Sequence, residues 1–276
     1  MAIRSILTQV HAAGSGPARL KFAADLAASL GAELIGVGVQ AFMPYVTSAG
    51  AFGFVDGAAV QAVRDEIDRE IEAAHVLFTE TLAAAKVHGE WHSAVDDPAE
   101  VIARLARGAD LVIATRHEPS LGSAAIAFAS DLLMETGRPL LVIPPDPKPL
   151  KIGTVVVAWK DSREARRAFG DCLPLIEKAE EVVVLEICGD DETGDASLRT
   201  ESVVRHLTRH GIKARARVVK HTEGRVSEEL LREATAIGAD LVVAGAYAHS
   251  RMREWVLGGV TQDLLEGAPL PCFLSH

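Results

Sequence analysis

GADLVIA at residues 108–114 returns as GADLVVA at residues 238–244. The two phrases lie about 130 residues apart, the length of one small α/β domain. In each, a short polar turn gives way to a run of branched apolar residues. That is the composition of a strand covered on both faces in a parallel sheet.

Working outward from the second copy, Thr154–Trp159 (TVVVAW) and Glu181–Cys188 read as further buried strands. Ala214–Lys220 alternates like a more exposed strand, and Pro271–Ser275 reads as the last one. Between them, Asp161-Ser-Arg-Glu164 has the form of a helix start, an acidic N-cap with Glu three residues on. That helix carries Ala165, Ala168, Phe169 and Cys172 on one face, and Pro174 should kink or end it. A second helix is expected over Asp195–His210, closed by Gly211. A third is capped by Ser227, and the last covers Gly259–Glu266. The first half follows the same order, with strands near Ser5–Val10, Glu33–Val39, Glu90–Val95, Leu111–Ala114 and Leu140–Ile143. Its long helix shows Ile67, Ile71, Ala74, Phe78, Leu82 and Ala85 on one stripe, and Asp97-Pro98-Ala-Glu100 starts another. Strands alternating with helices make a parallel sheet covered on both sides, and the repeat predicts two such sheets. The proline-rich segment Pro144–Pro149 separates them as a stiff linker. The expected organisation is 1–145, a linker at 146–151, and 152–276. The final strands, Leu140–Ile143 and Pro271–Ser275, are natural edges for the halves to pair as a pseudo-dimer.

The chain of 276 residues carries a net charge of −10, which argues against general affinity for nucleic acid or anionic membrane. Its three cysteines, Cys172, Cys188 and Cys272, sit in apolar runs and form no CxxC pair. They read as small buried hydrophobes in a reducing compartment. No long apolar leader or membrane span is evident, so a cytoplasmic location is expected.

Chemistry in an open parallel sheet sits beyond the carboxyl ends of its strands. Those ends include Trp159-Lys160-Asp161, Ile187-Cys188-Gly189, His221-Thr222-Glu223 and the segment from Gly245 to Thr261. In the last, a glycine leaves the strand, a basic loop with Arg251 and Arg253 follows, and Gly258-Gly259 opens a helix. Bare glycines let a backbone approach phosphate, and free amides at a helix start favour negative charge. The spacing Gly245, Ala248, Gly258, Gly259, with Val260-Thr261 following, resembles the nucleotide signature of universal stress proteins: Gly, two residues, Gly, nine residues, Gly, then Ser or Thr. AWKDSREARRA after the first strand of this half, and GADLV before its fourth, are also similar to that family.

The resemblance implies two tandem universal-stress-protein-like domains, α/β in class, each a five-stranded mainly parallel sheet with helices on both faces. It implies ATP or AMP as ligand, with Mg2+ only as the nucleotide's companion, and a regulatory or protective role in stress response rather than that of an enzyme. By position, Gly245 and Ala248 would border ribose and phosphate, and Gly258, Gly259 and Val260 would offer amides to phosphates. The strand end near Ile187 would meet the adenine. Three departures are visible: the second glycine is Ala248, the hydroxyl after Gly258 is replaced by Gly259 with Thr261 close by, and the usual Asp position holds Lys160 beside Asp161. Arg251 and Arg253 are candidate phosphate contacts or loop-ordering groups.

The first half has no Gly-x-x-Gly and is two residues shorter between Asp110 and Asp131 than the second is between Asp240 and Asp263. It reads as a structural partner without the site, with Arg116 and Gly122-Ser123 as the remaining candidates for a small anion. Trp255 reads as a packing anchor, and Tyr247 as either a ligand wall or a cover over the sheet edge. His88/His92 and His206/His210 have helical spacing but no third metal ligand nearby. There is no Walker GxxxxGK[ST], which argues against a P-loop ATPase, and with no carboxylate evident to position water and no metal set, any ATP hydrolysis is expected to be slow. The partners expected are an adenine nucleotide, a second copy of the chain, and a protein not identifiable from sequence. The alternative reading is a nucleotide-free module with a lost site that binds a protein or apolar ligand, suggested by the apolar, glycine-rich stretch Ala41–Gly57.

Overall fold

The computed structural model describes residues 2–43, 57–116, 125–247 and 259–276. The first half runs β1 (Ser5–Gln9), α1 (Gly16–Leu30), β2 (Glu33–Gln40), α2 (Gly57–Ala85), β3 (Gly89–Val95), α3 (Pro98–Leu105), β4 (Leu111–Thr115), α4 (Ala129–Glu135) and β5 (Leu140–Ile143). The second runs β6 (Thr154–Ala158), α5 (Arg163–Ile176), β7 (Glu181–Cys188), α6 (Thr193–Arg209), β8 (Ala214–Lys220), α7 (Val226–Ala236), β9 (Leu241–Gly245), α8 (Gly259–Glu266) and β10 (Cys272–Ser275).

Instead of two separate sheets, the strands form one, in the order β3-β2-β1-β4-β5-β10-β9-β6-β7-β8. Each half supplies five parallel strands, and the halves join through antiparallel pairing of β5 with β10. The expected last strands are thus the edges that meet, within one chain. Leu141 lies opposite Phe273, with Leu140–Leu274 and Val142–Cys272 on either side. The order reads as its own mirror, so an approximate twofold axis passes through the Leu141–Phe273 pair. One helical layer, α1, α2, α5 and α6, packs on one face of the sheet. The other, α3, α4, α7 and α8, packs on the opposite face. Both cores run unbroken across the junction.

The repeated Gly-Ala-Asp phrase has a shared physical basis. Asp110 Oδ2 accepts from the amides of Arg4 (2.8 Å) and Ser5 (3.1 Å), and Asp240 Oδ2 accepts from Gly153 (3.0 Å) and Thr154 (2.9 Å). Each carboxylate clamps the entry of β4 or β9 to the entry of its central neighbour, β1 or β6. The clamp fixes register where one strand's first amides would otherwise lack partners.

Local details depart from expectation in three places. Ser162, not Asp161, caps α5, accepting from Ala165 N at 3.1 Å, while Asp161 pairs with Arg166 at 2.5 Å. Pro174 lies inside α5 rather than ending it. The carbonyl that loses its bond there belongs to Gly170, which is exposed and can be solvated. Ser227 does not cap α7; it lies within the helix and donates to Asp263 of α8. On α2 the buried residues are Ile67, Ala74, Phe78 and Leu82, with Ile71 and Ala85 half-buried.

Replacing Asp240 or Asp110 with Ala should cost about 1–3 kcal/mol in urea unfolding, because two amides lose one acceptor. Asn, which keeps a side-chain oxygen, should cost less. Equal losses for Ala and Asn would show that charge rather than the clamp matters.

Candidate functional site

β6 passes to β7 on one side and is flanked by β9 on the other, so the sheet reverses its winding direction between β6 and β9. A crevice opens at the carboxyl ends of strands at such a point. Here it is a cavity of about 710 Å³. Its walls come from Trp159–Ser162, the end of β7, Arg199, His221, the apolar side chains of Val226 and Leu230 on α7, Tyr247, and the first turn of α8.

Of the expected site residues, Lys160, Asp161, Ile187, Gly245, Gly259, Val260 and Thr261 line this cavity. Ala248, Arg251, Arg253 and Gly258 lie outside the described residues, as does Trp255. The glycines that can be seen are bare for different reasons. A Cβ on Gly245 would stand 2.3 Å from the Ala165 amide nitrogen, so its missing side chain is what lets α5 seat against β9. Among the described residues, a Cβ on Gly259 would meet nothing within 4 Å, so none of them requires that glycine for packing. The Thr261 hydroxyl accepts from Tyr247 N at 3.3 Å, so it orders the exit from β9. Tyr247 has φ +60 there, a conformation unfavourable for an aromatic residue. Its ring meets His276, just past β10, edge-on at 5.4 Å, so Tyr247 lines the cavity, and the sheet edges, β3 and β8, lie elsewhere.

The sequence reading named Trp159 and His221 only as strand ends, and it missed Glu186, Arg199 and Glu229. Trp159 is 9% exposed and, among the described residues, its Nε1 has no hydrogen-bond partner. Glu186 is 5% exposed. It takes two bonds on Oε1 from Arg199, from Nε at 3.0 Å and Nη2 at 2.5 Å. This charge-assisted pair raises the Arg199 pKa above its usual value, chiefly through the hydrogen bond. His221 Nδ1 lies 2.9 Å from Oε2 of the buried Glu229, whose Oε1 is held by Arg232 at 2.9 Å. The signal for Glu186 was present: a lone carboxylate inside the apolar run VVVLEIC.

In the first half the same corner is filled. The buried faces of α1 and α5 match residue for residue, Gly16, Arg19, Leu20 and Ala23 against Ala165, Ala168, Phe169 and Cys172. On that register Gln9, Arg19 and Thr115 stand where the second half has Ala158, Ala168 and Gly245. Gln9 bonds Val39 O (3.2 Å), Ala125 O (2.8 Å) and Ala127 N (3.1 Å). Arg19, 3% exposed, donates to Gln9 O (3.1 Å) and the Thr115 hydroxyl (2.8 Å). A cavity of about 520 Å³ remains beside it, between the ends of β1 and β2 and the acidic face of α2. Arg116 does not present a free anion site. It is buried, donates to Leu270 O at 2.7 Å across the junction, and its pKa is lowered by burial. Gly122 and Ser123 lie outside the described residues. Burial pushes the nearby Cys272 thiol up to about 12, against the opposing effect of Arg116.

His206 and His210 pack ring to ring at 4.8 Å, with His206 edge-on to Phe169. Among the described residues, no group of three His, Cys, Asp or Glu is placed to hold a metal ion.

Gly245→Ala should lower ligand-free stability by about 1–3 kcal/mol through overpacking against α5. An unchanged melting temperature would refute the packing role. Alkylation of native protein near about pH 9, where an ordinary thiol reacts, should spare Cys272. Labelling at the unfolded rate would contradict its burial.

Residues 151–276 match the model of the universal stress protein family. No curated protein matches the chain. Among solved structures, a universal stress protein from Archaeoglobus fulgidus DSM 4304 is similar at TM-score 0.74 and 18% identity, covering 98% of this chain and 97% of that one. A functionally unknown protein from Pseudomonas aeruginosa PAO1 is similar at TM-score 0.64 and 18% identity, covering 99% and 92%. A shorter universal stress protein from Archaeoglobus fulgidus, in complex with dAMP, is similar over 51% of this chain at 20% identity and TM-score 0.35. The second half of this chain belongs to the universal stress protein family, and the first half repeats that fold, so that the whole is two units of one fold in tandem.

Proposed function

We propose that the second half binds an adenine nucleotide, ATP or AMP, in the crevice between β6 and β9, and that the chain acts as a cytoplasmic regulatory or protective protein rather than an enzyme. The observation that carries this is the contrast between the halves. Where the first half inserts Gln9, Arg19 and Thr115, the second keeps Ala158, Ala168 and Gly245 and an open cavity of about 710 Å³, a volume in the range of small-ligand sites. Phosphates would sit against the Gly259, Val260 and Thr261 amides, where the partial positive charge of the α8 start favours anions. Lys160 lines the same cavity. Mg2+ would enter only with the nucleotide. No helix among the described residues is long and apolar enough to cross a membrane. A homodimer would have to use a surface other than β5 and β10, which already pair with each other.

The alternative, a module whose nucleotide site is lost, predicts a corner closed by the protein's own side chains. In the first half Gln9, Arg19 and Thr115 take up that corner, with a cavity of about 520 Å³ left beside them, whereas the second half has alanine and glycine at those three places.

Titrating the nucleotide-stripped full chain with ATP, ADP and AMP by calorimetry should give about one site per chain. Ala158→Gln, which brings the first half's residue into the second crevice, should weaken binding about tenfold or more. Absence of heat from the parent protein would sink the proposal. Equal binding by Ala158→Gln would move the site elsewhere.

A further inference from the structure

If a nucleotide occupies this crevice, the cavity has two electrostatically different ends. Toward β9 and β6 stand the first-turn amides of α8 and Lys160, where anions are stabilised. Toward β7 the wall carries the carboxylates of Glu186 and Glu192, the former paired with the Arg199 guanidinium. Phosphates therefore belong at the α8 end, and the uncharged base at the ends of β7 and β8.

His221 leaves the end of β8 at that place and lines the cavity. Its Nδ1 is 2.9 Å from Glu229 Oε2. A carboxylate only accepts, so the ring proton sits on Nδ1. Glu229 cannot turn away: it is 4% exposed, and Arg232 holds its second oxygen at 2.9 Å. In the neutral ring the remaining nitrogen, Nε2, is then an acceptor. A base edge placed against this ring nitrogen is met by an acceptor.

We propose that His221, held in one tautomer by Glu229, is a specificity-determining residue that selects a 6-amino over a 6-keto purine nucleotide. An exocyclic amine donates to this wall. A keto oxygen at the same place faces that acceptor and leaves both unpaired, the arrangement that discriminates most strongly between close analogues.

This rests on the nucleotide reading above, and AMP and IMP test the two separately, since they carry the same sugar and phosphate and differ only along the base edge, 6-amino with a bare N1 against 6-keto with N1–H. The full chain should bind AMP about tenfold or more tightly than IMP. In Glu229→Gln the amide can accept from or donate to Nδ1, so either tautomer is allowed and the AMP/IMP ratio should fall toward one. His221→Ala, at a half-exposed position, should also lose the ratio while still binding AMP, and it carries the test if the buried substitution unfolds the protein. Equal affinities in the parent chain, or a ratio kept in His221→Ala, would overturn the proposal. Failure of both nucleotides to bind the parent would overturn the binding reading beneath it.

Discussion

Three residue pairs, Leu140 with Leu274, Leu141 with Phe273 and Val142 with Cys272, make the two halves one sheet. Each parallel sheet alone would end on a strand with a row of unpaired backbone groups, an edge open to another chain. Meeting antiparallel, the two edges satisfy each other, and both helical layers continue over the seam. The pairing also sets the functional geometry. Strands of one half run opposite to those of the other, so the two crevices open toward opposite edges of the sheet. A ligand in one does not share walls with the other, and the halves can diverge in chemistry without disturbing the frame that joins them.

That divergence is visible at one corner. Burying an arginine without partners costs several kcal/mol, yet Arg19 is almost fully buried in the first half. It is tolerated because Gln9 O and Thr115 accept its protons, and because the Gln9 side chain is itself bonded three ways. The filled corner is thus a self-consistent polar network rather than a collapsed void. Returning it to an open crevice would require several coupled changes, since removing one member would leave another unsatisfied. The second half takes the opposite course, with alanine and glycine at all three places.

Most of the fold was legible because it depends on local pattern. The branched runs became strands, the striped segments became helices, and the repeated aspartates fell at equivalent clamps. The union into one sheet was legible only as a matter of edges, because the β5–β10 register depends on residues more than a hundred positions apart. The site was legible where it follows the chain, in Lys160, Asp161 and the start of α8. It was not legible where it is assembled across elements. Glu186 finds Arg199 from a neighbouring helix, and His221 finds Glu229 only once α7 folds back.

The glycine signature itself illustrates why spacing cannot stand in for geometry. Gly245 would be required even in a chain that never met a nucleotide, since α5 approaches it too closely for any side chain. A motif position of that kind is retained for packing, so its presence says little about a ligand. Gly259 carries different weight, because no described neighbour within 4 Å demands that it be bare. The comparison of halves carries more weight still. Two copies of one frame, built on the same clamps and the same buried helix faces, treat one corner in opposite ways, and packing needs common to both copies cannot explain a difference between them.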